Sequence, residues 1–484
     1  MTSVATVIPS VTPHVPTIHS QFRPTAPFRA HPAPTRATRP SIPRPHRPPT
    51  SLPEVVAVND LRRAVLTYYA YRCISAIGFI GPFLNVFLVS RGVTFTDLAL
   101  GGSTMATVVV LGEVPSGYVG DRLGRRRSLL LSQTLFAVGI SSWAFVRSTS
   151  AVVSVFVVFG LASAFQSGST EAWLYDVLDE ADEAGRYTEI ESRGSALLLW
   201  VTATTMVAGG FLYVFEPLAP FACAAALSWF GVGIVASLPT NARYRGVGTD
   251  EDGDDTPLGP RRALAVIRRF LGRPDLRVVI GVVAVFVGAL SAAGDYLQPV
   301  VVRILPRTTA TVAGVPLPEF VVLDCLYATF TALSAFAVDR ADALRGSLGS
   351  TAALLVLVGI GGTAMLVPLV GTWLLGGSLA VAATLAAIVG FRTCGDVIRP
   401  IHSAYLNDHA DSIGRATTLS AVAFVDAIVR IPFLLVGGRV ADATTPASAL
   451  ALVGVVPLGV ALGITVSKRP LVAGVSSKAA SDDR

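Results

Sequence analysis

Long apolar stretches alternate with short polar stretches along most of the chain. The apolar stretches are about 20 residues long, the length at which a helix crosses a hydrocarbon core of roughly 30 Å. The pattern therefore predicts an all-α membrane protein with twelve transmembrane helices. Their predicted positions are 62–90, 96–116, 128–146, 150–176, 195–215, 218–238, 278–304, 319–338, 347–369, 373–396, 416–438 and 447–467.

The longest polar gap, residues 239–277, divides the predicted helices six and six. It contains the acidic stretch "DEDGDD" (250–255) and then "RRALAVIRRFLGR" (261–273), in which arginines and apolar residues fall on opposite helix faces. That second stretch indicates either a helix lying in the membrane interface or a solvated linker helix. The predicted domain organisation is a disordered Pro/Arg-rich tail (1–58), a six-helix bundle (59–240), a cytoplasmic linker with an amphipathic helix (241–276), a second six-helix bundle (277–467) and a cytoplasmic tail (468–484).

The two halves of the chain repeat short sequence patterns. "AVDRADALR" (337–345) follows the eighth predicted helix, as "VGDRLGR" (119–125) follows the second. A stretch that runs from a tyrosine to a Gly-Arg pair precedes a Gly-Gly pair at similar spacing in both halves: 175–186 before 209–210, and 405–415 before 437–438. A parallel six-plus-six repeat is an architecture of secondary transporters.

Composition supports the membrane assignment and argues against nucleic-acid binding. A mean hydropathy of +0.61 with 14% charged residues excludes an ordinary soluble protein. The net charge of +6 does not indicate a nucleic-acid partner, because residues 1–50 carry six arginines and no acid. The twelve prolines of that segment predict disorder, and a basic arm on anionic lipid, an inert tail and a start assigned too early all stay open.

The sequence offers no residues for an enzyme, a metal or a cofactor. The four cysteines, Cys73, Cys223, Cys325 and Cys394, are scattered through apolar stretches without metal or redox spacing. P-loop, H-E-x-x-H, G-x-S-x-G and paired C-x-x-C motifs are also missing from the sequence. We therefore expect no cofactor, no catalysis and no ATP-driven transport.

Arginine counts in the short loops predict the orientation of the helices. Arginines concentrate in the loops after the second, sixth and eighth predicted helices, and after the last one, and they are sparser in the alternate loops. The counts place both termini in the cytoplasm of a multi-pass protein of the cell membrane.

The stretch "GYVGDRLGRRRS" (117–128) carries more than a topology signal. Arginines alone would satisfy the positive-inside rule, which explains neither the glycines nor the aspartate. Gly117 allows close helix approach, and Gly124 permits a tight reversal of the chain. Asp121 can pair with an arginine or face the positive N-terminus of another helix.

Gly117, Asp121, Arg122, Gly124, Arg125 and Arg126 match the G-x-x-x-D-R-x-G-R-R loop signature of the major facilitator superfamily. Asp339 and Arg340 resemble a degenerate second copy, and the chain resembles this family over about residues 60–467. The resemblance implies two pseudo-symmetric six-helix bundles, with the signature as a conformational latch. It is nearest to drug-efflux members, although their fourth-helix arginine is missing from residues 160–170 and their fifth-helix Gly-Pro pair from residues 200–213.

Ionisable residues inside the predicted helices are candidates for function, because each is costly in the membrane unless it is paired or hydrated. Asp426 and Arg430 are four residues apart, which predicts an ion pair on one helix face. Arg392 and Asp396 repeat that spacing closer to the cytoplasm. A pair that gates the transport pathway is as consistent with their position as a static ion pair is. Asp295 has no counter-charge on its own helix, so it is predicted to act either in coupling or as a structural partner of another helix. The candidate cavity and coupling residues are Arg72, Glu171, Asp176, Asp295, Arg392, Asp426 and Arg430.

The sequence therefore predicts a secondary active transporter that moves a small solute by alternating access. We expect a proton-coupled, efflux-type antiporter that works as a monomer in the lipid bilayer. The resemblance favours efflux, whereas proton antiport cannot be inherited from it. Two alternatives stay open: uptake of a metabolite or organic anion with Arg72 and Arg392 as its ligands, and a non-transporting membrane sensor or scaffold of the same fold.

Overall fold

A computed structural model describes most of the predicted membrane region. The described residues are 58–75, 78–167, 169–239, 274–304, 311–312, 315–316, 319–409 and 415–466. The predicted Pro/Arg-rich tail, the acidic stretch 250–255, the amphipathic stretch 261–273 and the C-terminal tail lie outside these residues.

The described residues are almost entirely helical. The first half contains α1 (Val58–Ile74), α2 (Leu84–Ser90), α3 (Phe95–Leu123), α4 (Arg125–Trp143), α5 (Thr149–Gln166), α6 (Ser169–Glu180), a 3₁₀ turn (Ala184–Arg186), α7 (Tyr187–Phe215) and α8 (Ala219–Ser237). The second half contains α9 (Pro274–Ile304), β1 (Thr311–Val312), β2 (Val315–Pro316), α10 (Glu319–Val338), α11 (Ala341–Leu348), α12 (Ser350–Leu374), α13 (Gly377–His409), α14 (Arg415–Ala443) and α15 (Pro446–Val466). The two short strands pair antiparallel between α9 and α10.

The all-α membrane fold is confirmed, and nine of the twelve predicted spans correspond to long apolar helices among the described residues. Nine segments of the described helices are long and apolar enough to cross a membrane. They coincide with nine of the predicted spans: Phe95–Gly112, Thr149–Glu180, Ala184–Phe215, Ala219–Ser237, Arg277–Ile304, Val321–Val338, Ser350–Gly371, Gly377–Leu406 and Pro446–Val466. The predicted first, third and eleventh spans correspond to α1 with α2, to α4 and to α14, which do not meet that standard.

The predicted first span, 62–90, is divided in the structure rather than continuous. Helix α1 ends at Ile74 and α2 begins only at Leu84. Gly78 packs so closely against α7 that a Cβ atom there would collide with the Thr205 hydroxyl and the Thr202 carbonyl oxygen. Pro82 disfavours helical geometry at the residue before it, which favours an interruption at this point.

Helix packing reproduces the repeat that the sequence predicted. In the first half, α5 packs on α3 and α4, α4 packs on α8, and α7 packs on α1. In the second half, α13 packs on α10 and α12, α12 packs on α15, and α14 packs on α9, which is the same set of neighbours. Contacts between the halves join α3 to α14, α7 to α10 and α2 to α9.

Two glycine turns define the ends of the helical bundle. Gly92, at φ 89°, lies in the turn between α2 and α3, and Gly124, at φ 86°, lies in the turn between α3 and α4. We call these the Gly92 end and the Gly124 end. Because successive membrane helices alternate in direction, α9 and α14 finish at the Gly92 end.

Candidate functional site

The two halves meet closely at the Gly92 end. Both carboxylate oxygens of Asp442, at the end of α14, accept backbone N–H groups at the start of α3, from Phe95 and Thr96, each at 2.8 Å. One turn deeper, Gly438 lies against Ala99 and the Phe95 carbonyl, so closely that a Cβ atom would be 2.7 Å from the Ala99 Cβ. The second half thus completes the N-terminus of a first-half helix.

The face of α14 that contacts the first half includes two residues near the Gly92 end. Gly438 contacts Ala99, and Leu434 contacts Gly102, both on α3. Further along α14, the backbone of Arg430 lies close to Gly288 of α9, which belongs to the same half. At Arg430, α14 therefore packs against its own half.

The predicted ion pair between Asp426 and Arg430 is not formed in the structure. Asp426 Oδ1 and Arg430 Nε are buried, and within the described ranges neither atom has a hydrogen-bond partner. Asp426 interacts electrostatically with Arg399 of α13, and Arg430 with Asp295 of α9. Spacing on one helix permits a pair, but here opposite charges on the two adjacent helices compete for both groups.

Asp295 lies at a contact between α9 and the divided first span. Asn85 Nδ2 of α2 donates to the Asp295 main-chain oxygen at 3.2 Å and, more weakly, to its carboxylate at 3.4 Å. The Asn85 N–H donates to Gln298 Oε1 at 3.0 Å. Gln298 Nε2 donates to the Gly81 carbonyl at 2.7 Å. The predicted partner of Asp295 on another helix therefore includes an uncharged residue, Asn85, that charge-based reasoning did not single out.

Arg72 belongs to a polar cluster inside the first half. Its Nη2 atom donates to Ser195 Oγ of α7 at 2.8 Å, and that hydroxyl donates to Glu191 at 2.8 Å. One helical position before Arg72, the Tyr71 hydroxyl accepts a 3.0 Å hydrogen bond from Gln166 of α5. Arg72 is therefore held between α1 and α7.

The other predicted cavity residues are dispersed among different helices. Glu171 is exposed on α6, and Asp176 is half-buried on the same helix. Arg392 of α13 lies over the Tyr327 ring of α10, with its guanidinium carbon 5.9 Å from the ring centre. Asp396 is half-buried one turn further along α13. Arg430 and Asp295 interact electrostatically, whereas Arg72 and Arg392 contact neighbours within their own halves.

The loop signature spans the end of α3 and the start of α4. Gly117, Asp121 and Arg122 lie in the last turns of α3, and their side chains lie outside the described set. Gly124 precedes α4 with φ 86° and ψ 150°, and Arg125 is half-buried in the first turn. Arg126 donates to the Ala236 carbonyl at the C-terminal end of α8, where the helix dipole favours a cation.

The second copy of the signature repeats the turn and alters the contacts. Asp339 and Arg340 are exposed between α10 and α11. Arg340 donates to the Phe336 carbonyl at 2.7 Å, and its guanidinium carbon lies 3.6 Å from the centre of the Phe336 ring. Gly349, at φ 79° and ψ 155°, precedes α12 as Gly124 precedes α4.

The cavity and coupling residues predicted from the sequence do not include Asn85, Gln298 and Asp442. That set was chosen for charges inside the membrane, whereas two of these residues are uncharged and Asp442 lies beyond the predicted eleventh span, 416–438. Prolines lie near two of the three positions: Asn85 follows the Gly81-Pro82 pair closely, and Gln298 precedes Pro299. Proline leaves main-chain groups without their helical partners, so polar side chains nearby are candidates to replace them.

Comparison with known proteins finds similarity to membrane transporters in both sequence and structure. A profile of the Major Facilitator Superfamily matches residues 73–431. "Uncharacterized MFS-type transporter YxaM" of Bacillus subtilis (strain 168) is 28% identical over 149 residues, which are 30% of this chain and 36% of that protein. The chain thus spans about a third of the length of that relative.

Solved transporter structures share the fold. The nucleoside transporter NupG superimposes with a TM-score of 0.65 at 11% identity, covering 84% of this chain and 98% of that one. A POT family transporter in complex with 5-aminolevulinic acid superimposes with a TM-score of 0.58 at 12% identity, covering 86% and 97%. At such low identity the similarity concerns the fold alone.

Proposed function

The chain belongs to the Major Facilitator Superfamily, and we propose that it is a secondary active transporter that carries a small solute across the cell membrane by alternating access. The observation that carries this proposal is the closure of the Gly92 end. There Asp442 of one half completes the first turn of α3 in the other, and Gly438 packs on Ala99. Two similarly packed halves whose contacts include this closed end suit rocking about a central site.

We use the arginine distribution to propose which side of the membrane the closed end faces. The Gly124 end carries Arg125 and Arg126, and the positive-inside rule assigns such an end to the cytoplasm. On this assignment, the described arrangement is closed toward the outside. Asp121, in the last turn of α3, is our proposed latch for the opposite, outward-facing state.

We further propose efflux coupled to proton entry, with Asp295 as the coupling carboxylate. Asp295 interacts electrostatically with Arg430 and hydrogen-bonds to Asn85 of the other half. Adding or removing a proton at this carboxylate changes its attraction to both groups, and one of the two lies across the contact between the halves. Titration at Asp295 would thereby alter the balance between open and closed arrangements.

Transport by purified protein in proteoliposomes tests the proposal. A compound panel is assayed with and without an imposed pH gradient, using the unmodified chain, Asp295→Asn and a control variant, Glu216→Gln. Glu216 is an exposed carboxylate between α7 and α8, and it accepts the Leu218 N–H of its own half. We expect a substrate whose uphill transport follows the gradient in the unmodified chain and the control, whereas Asp295→Asn retains only equilibrium exchange.

A separate result would contradict each part of the proposal. Uphill transport that persists in Asp295→Asn would move the coupling group to Glu171 or Asp426. Transport that ignores the pH gradient would exclude proton coupling. Full activity of Asp121→Asn at normal expression would reject the latch.

A further inference from the structure

We infer that Asn85 and Gln298 form a clasp that keeps the Gly92 end closed, by bonding main-chain groups that interruptions in two helices leave without partners. This inference rests on the proposed function only in taking the Gly92 end to open during transport. The closure itself is a property of the described contacts between α2 and α9.

The clasp is located where two helices have incomplete hydrogen bonding. Pro299 lies inside α9 and has no N–H, so the Asp295 carbonyl four residues earlier lacks its usual donor. The Gly81 carbonyl lies in the interrupted stretch between α1 and α2. The Asn85 N–H belongs to the first turn of α2, where backbone donors have no partner within the helix.

Each half of the protein supplies the missing partners of the other. Asn85 Nδ2 donates to the Asp295 carbonyl at 3.2 Å, across from α2 to α9. In the reverse direction, the Gln298 carboxamide donates to the Gly81 carbonyl at 2.7 Å and accepts the Asn85 N–H at 3.0 Å. Two carboxamides thereby satisfy three main-chain groups, and all three bonds cross between the halves.

The carboxylate of Asp295 also takes part in the clasp. The bond from Asn85 to the carboxylate, 3.4 Å, is longer than the other three. Arg430, in the same half as Asp295, also attracts that carboxylate. The other three bonds of the clasp are neutral hydrogen bonds to the main chain.

Such a clasp opens without leaving polar groups unpaired, provided that water enters. Buried backbone donors and acceptors are costly to leave unsatisfied, and in the closed state the carboxamides satisfy them. When the end opens and admits water, water molecules take over the same three groups. The exchange favours the closed state only modestly, which suits an end that must open in every transport cycle.

Distances between spin labels at the Gly92 end test the clasp. The labels are attached at Arg147→Cys and Ala443→Cys, two exposed positions in different halves, in a chain whose four native cysteines are replaced. The purified full chain is measured in lipid nanodiscs without substrate, as the unmodified pair and with Asn85→Ala, Gln298→Ala or both. Ser90→Ala is the matched control, since the Ser90 hydroxyl donates to Phe87 within α2 itself.

We expect a predominant short distance in the unmodified pair and in Ser90→Ala. Asn85→Ala and Gln298→Ala should each raise the ratio of long to short distances roughly 2- to 10-fold, the effect of losing one or two neutral hydrogen bonds. The double variant should raise it at least as much as the larger single change. Asn85→Leu keeps the approximate side-chain size while removing the donor, so it gives the same test if Asn85→Ala does not fold.

Unchanged distance distributions in the folded Asn85, Gln298 and double variants would overturn the clasp. That outcome would leave the transport proposal standing, because the label distances require neither a substrate nor a gradient. A failure to find transport would likewise leave the distance result unaffected.

Discussion

Gly124 and Gly349 have nearly the same backbone conformation, at φ 86° and ψ 150° for the first and φ 79° and ψ 155° for the second. Each directly precedes a helix, α4 or α12, and these two helices occupy equivalent positions in the two halves. The sequence repeat therefore extends to a main-chain geometry that residues other than glycine adopt only under strain.

Replacing either glycine with alanine should destabilise the protein by about 1–3 kcal/mol, the cost of holding a side-chain-bearing residue in this region. The strain comes from the backbone alone, because a Cβ at either position would have open space around it. Gly233→Ala is the control: it also has open space, but it lies within α8. Thermal melting in detergent should rank Gly124→Ala and Gly349→Ala well below Gly233→Ala, and equal melting temperatures would contradict the assignment.

Gly438→Ala should favour opening of the Gly92 end. Its new methyl group would be 2.7 Å from the Ala99 Cβ and 2.8 Å from the Phe95 carbonyl oxygen, so α14 and α3 would have to move apart. Gly102→Ala tests the same interface more gently, since its nearest neighbour would be a Leu434 methyl at 3.4 Å. In the spin-label assay, Gly438→Ala should lengthen the distances and Gly102→Ala should not, and an equal effect of both would argue against tight packing at Gly438.

Asp442→Ala should loosen the start of α3 from the other half. Thr94 and Asp97 already form a local capping box, in which Asp97 accepts the Thr94 N–H at 2.9 Å and Thr94 accepts the Asp97 N–H at 3.1 Å. Asp442 adds the partners for Phe95 and Thr96. Loss of a helix cap typically costs about 1 kcal/mol.

Hydrogen exchange can separate these two caps. Asp442→Ala and Asp97→Asn should both reduce protection in the first turn of α3. Only Asp442→Ala should also increase exchange at the end of α14 and lengthen the spin-label distances, because only that carboxylate joins the halves. Identical patterns in the two variants would mean that Asp442 has no role in holding the halves together.

Asp426 should be energetically coupled to Arg399 rather than to Arg430. Its electrostatic neighbour is Arg399 of α13, and the expected pair on its own helix is not formed. A double-mutant cycle with Asp426→Asn and Arg399→Gln should give a coupling of about 0.5–1 kcal/mol in melting experiments, near the low end for interacting residues because Arg399 is exposed. A larger coupling in the matched cycle with Arg430→Gln would restore the intrahelical pair.

The positions of most helices could be predicted from the sequence, because hydropathy and helix length report directly on the membrane. The predicted second span began at residue 96 and α3 begins at Phe95. The division of the first span was missed because hydropathy stays high through Gly78 and Gly81, whereas backbone interruption depends on how closely α7 approaches. The partner of Arg430 was missed for a related reason: spacing on one helix says nothing of Asp295 on its neighbour.

The charges of α14 bear on how this helix enters the bilayer during synthesis. An arginine or aspartate at the centre of an inserting helix costs about 2.5–3.5 kcal/mol in translocon experiments, and α14 carries both Asp426 and Arg430. Helix α14 is therefore expected to leave the translocon together with a neighbour that is apolar enough to cross a membrane, such as α9, on which it packs. Membrane integration of α14 would then be cooperative with that of α9.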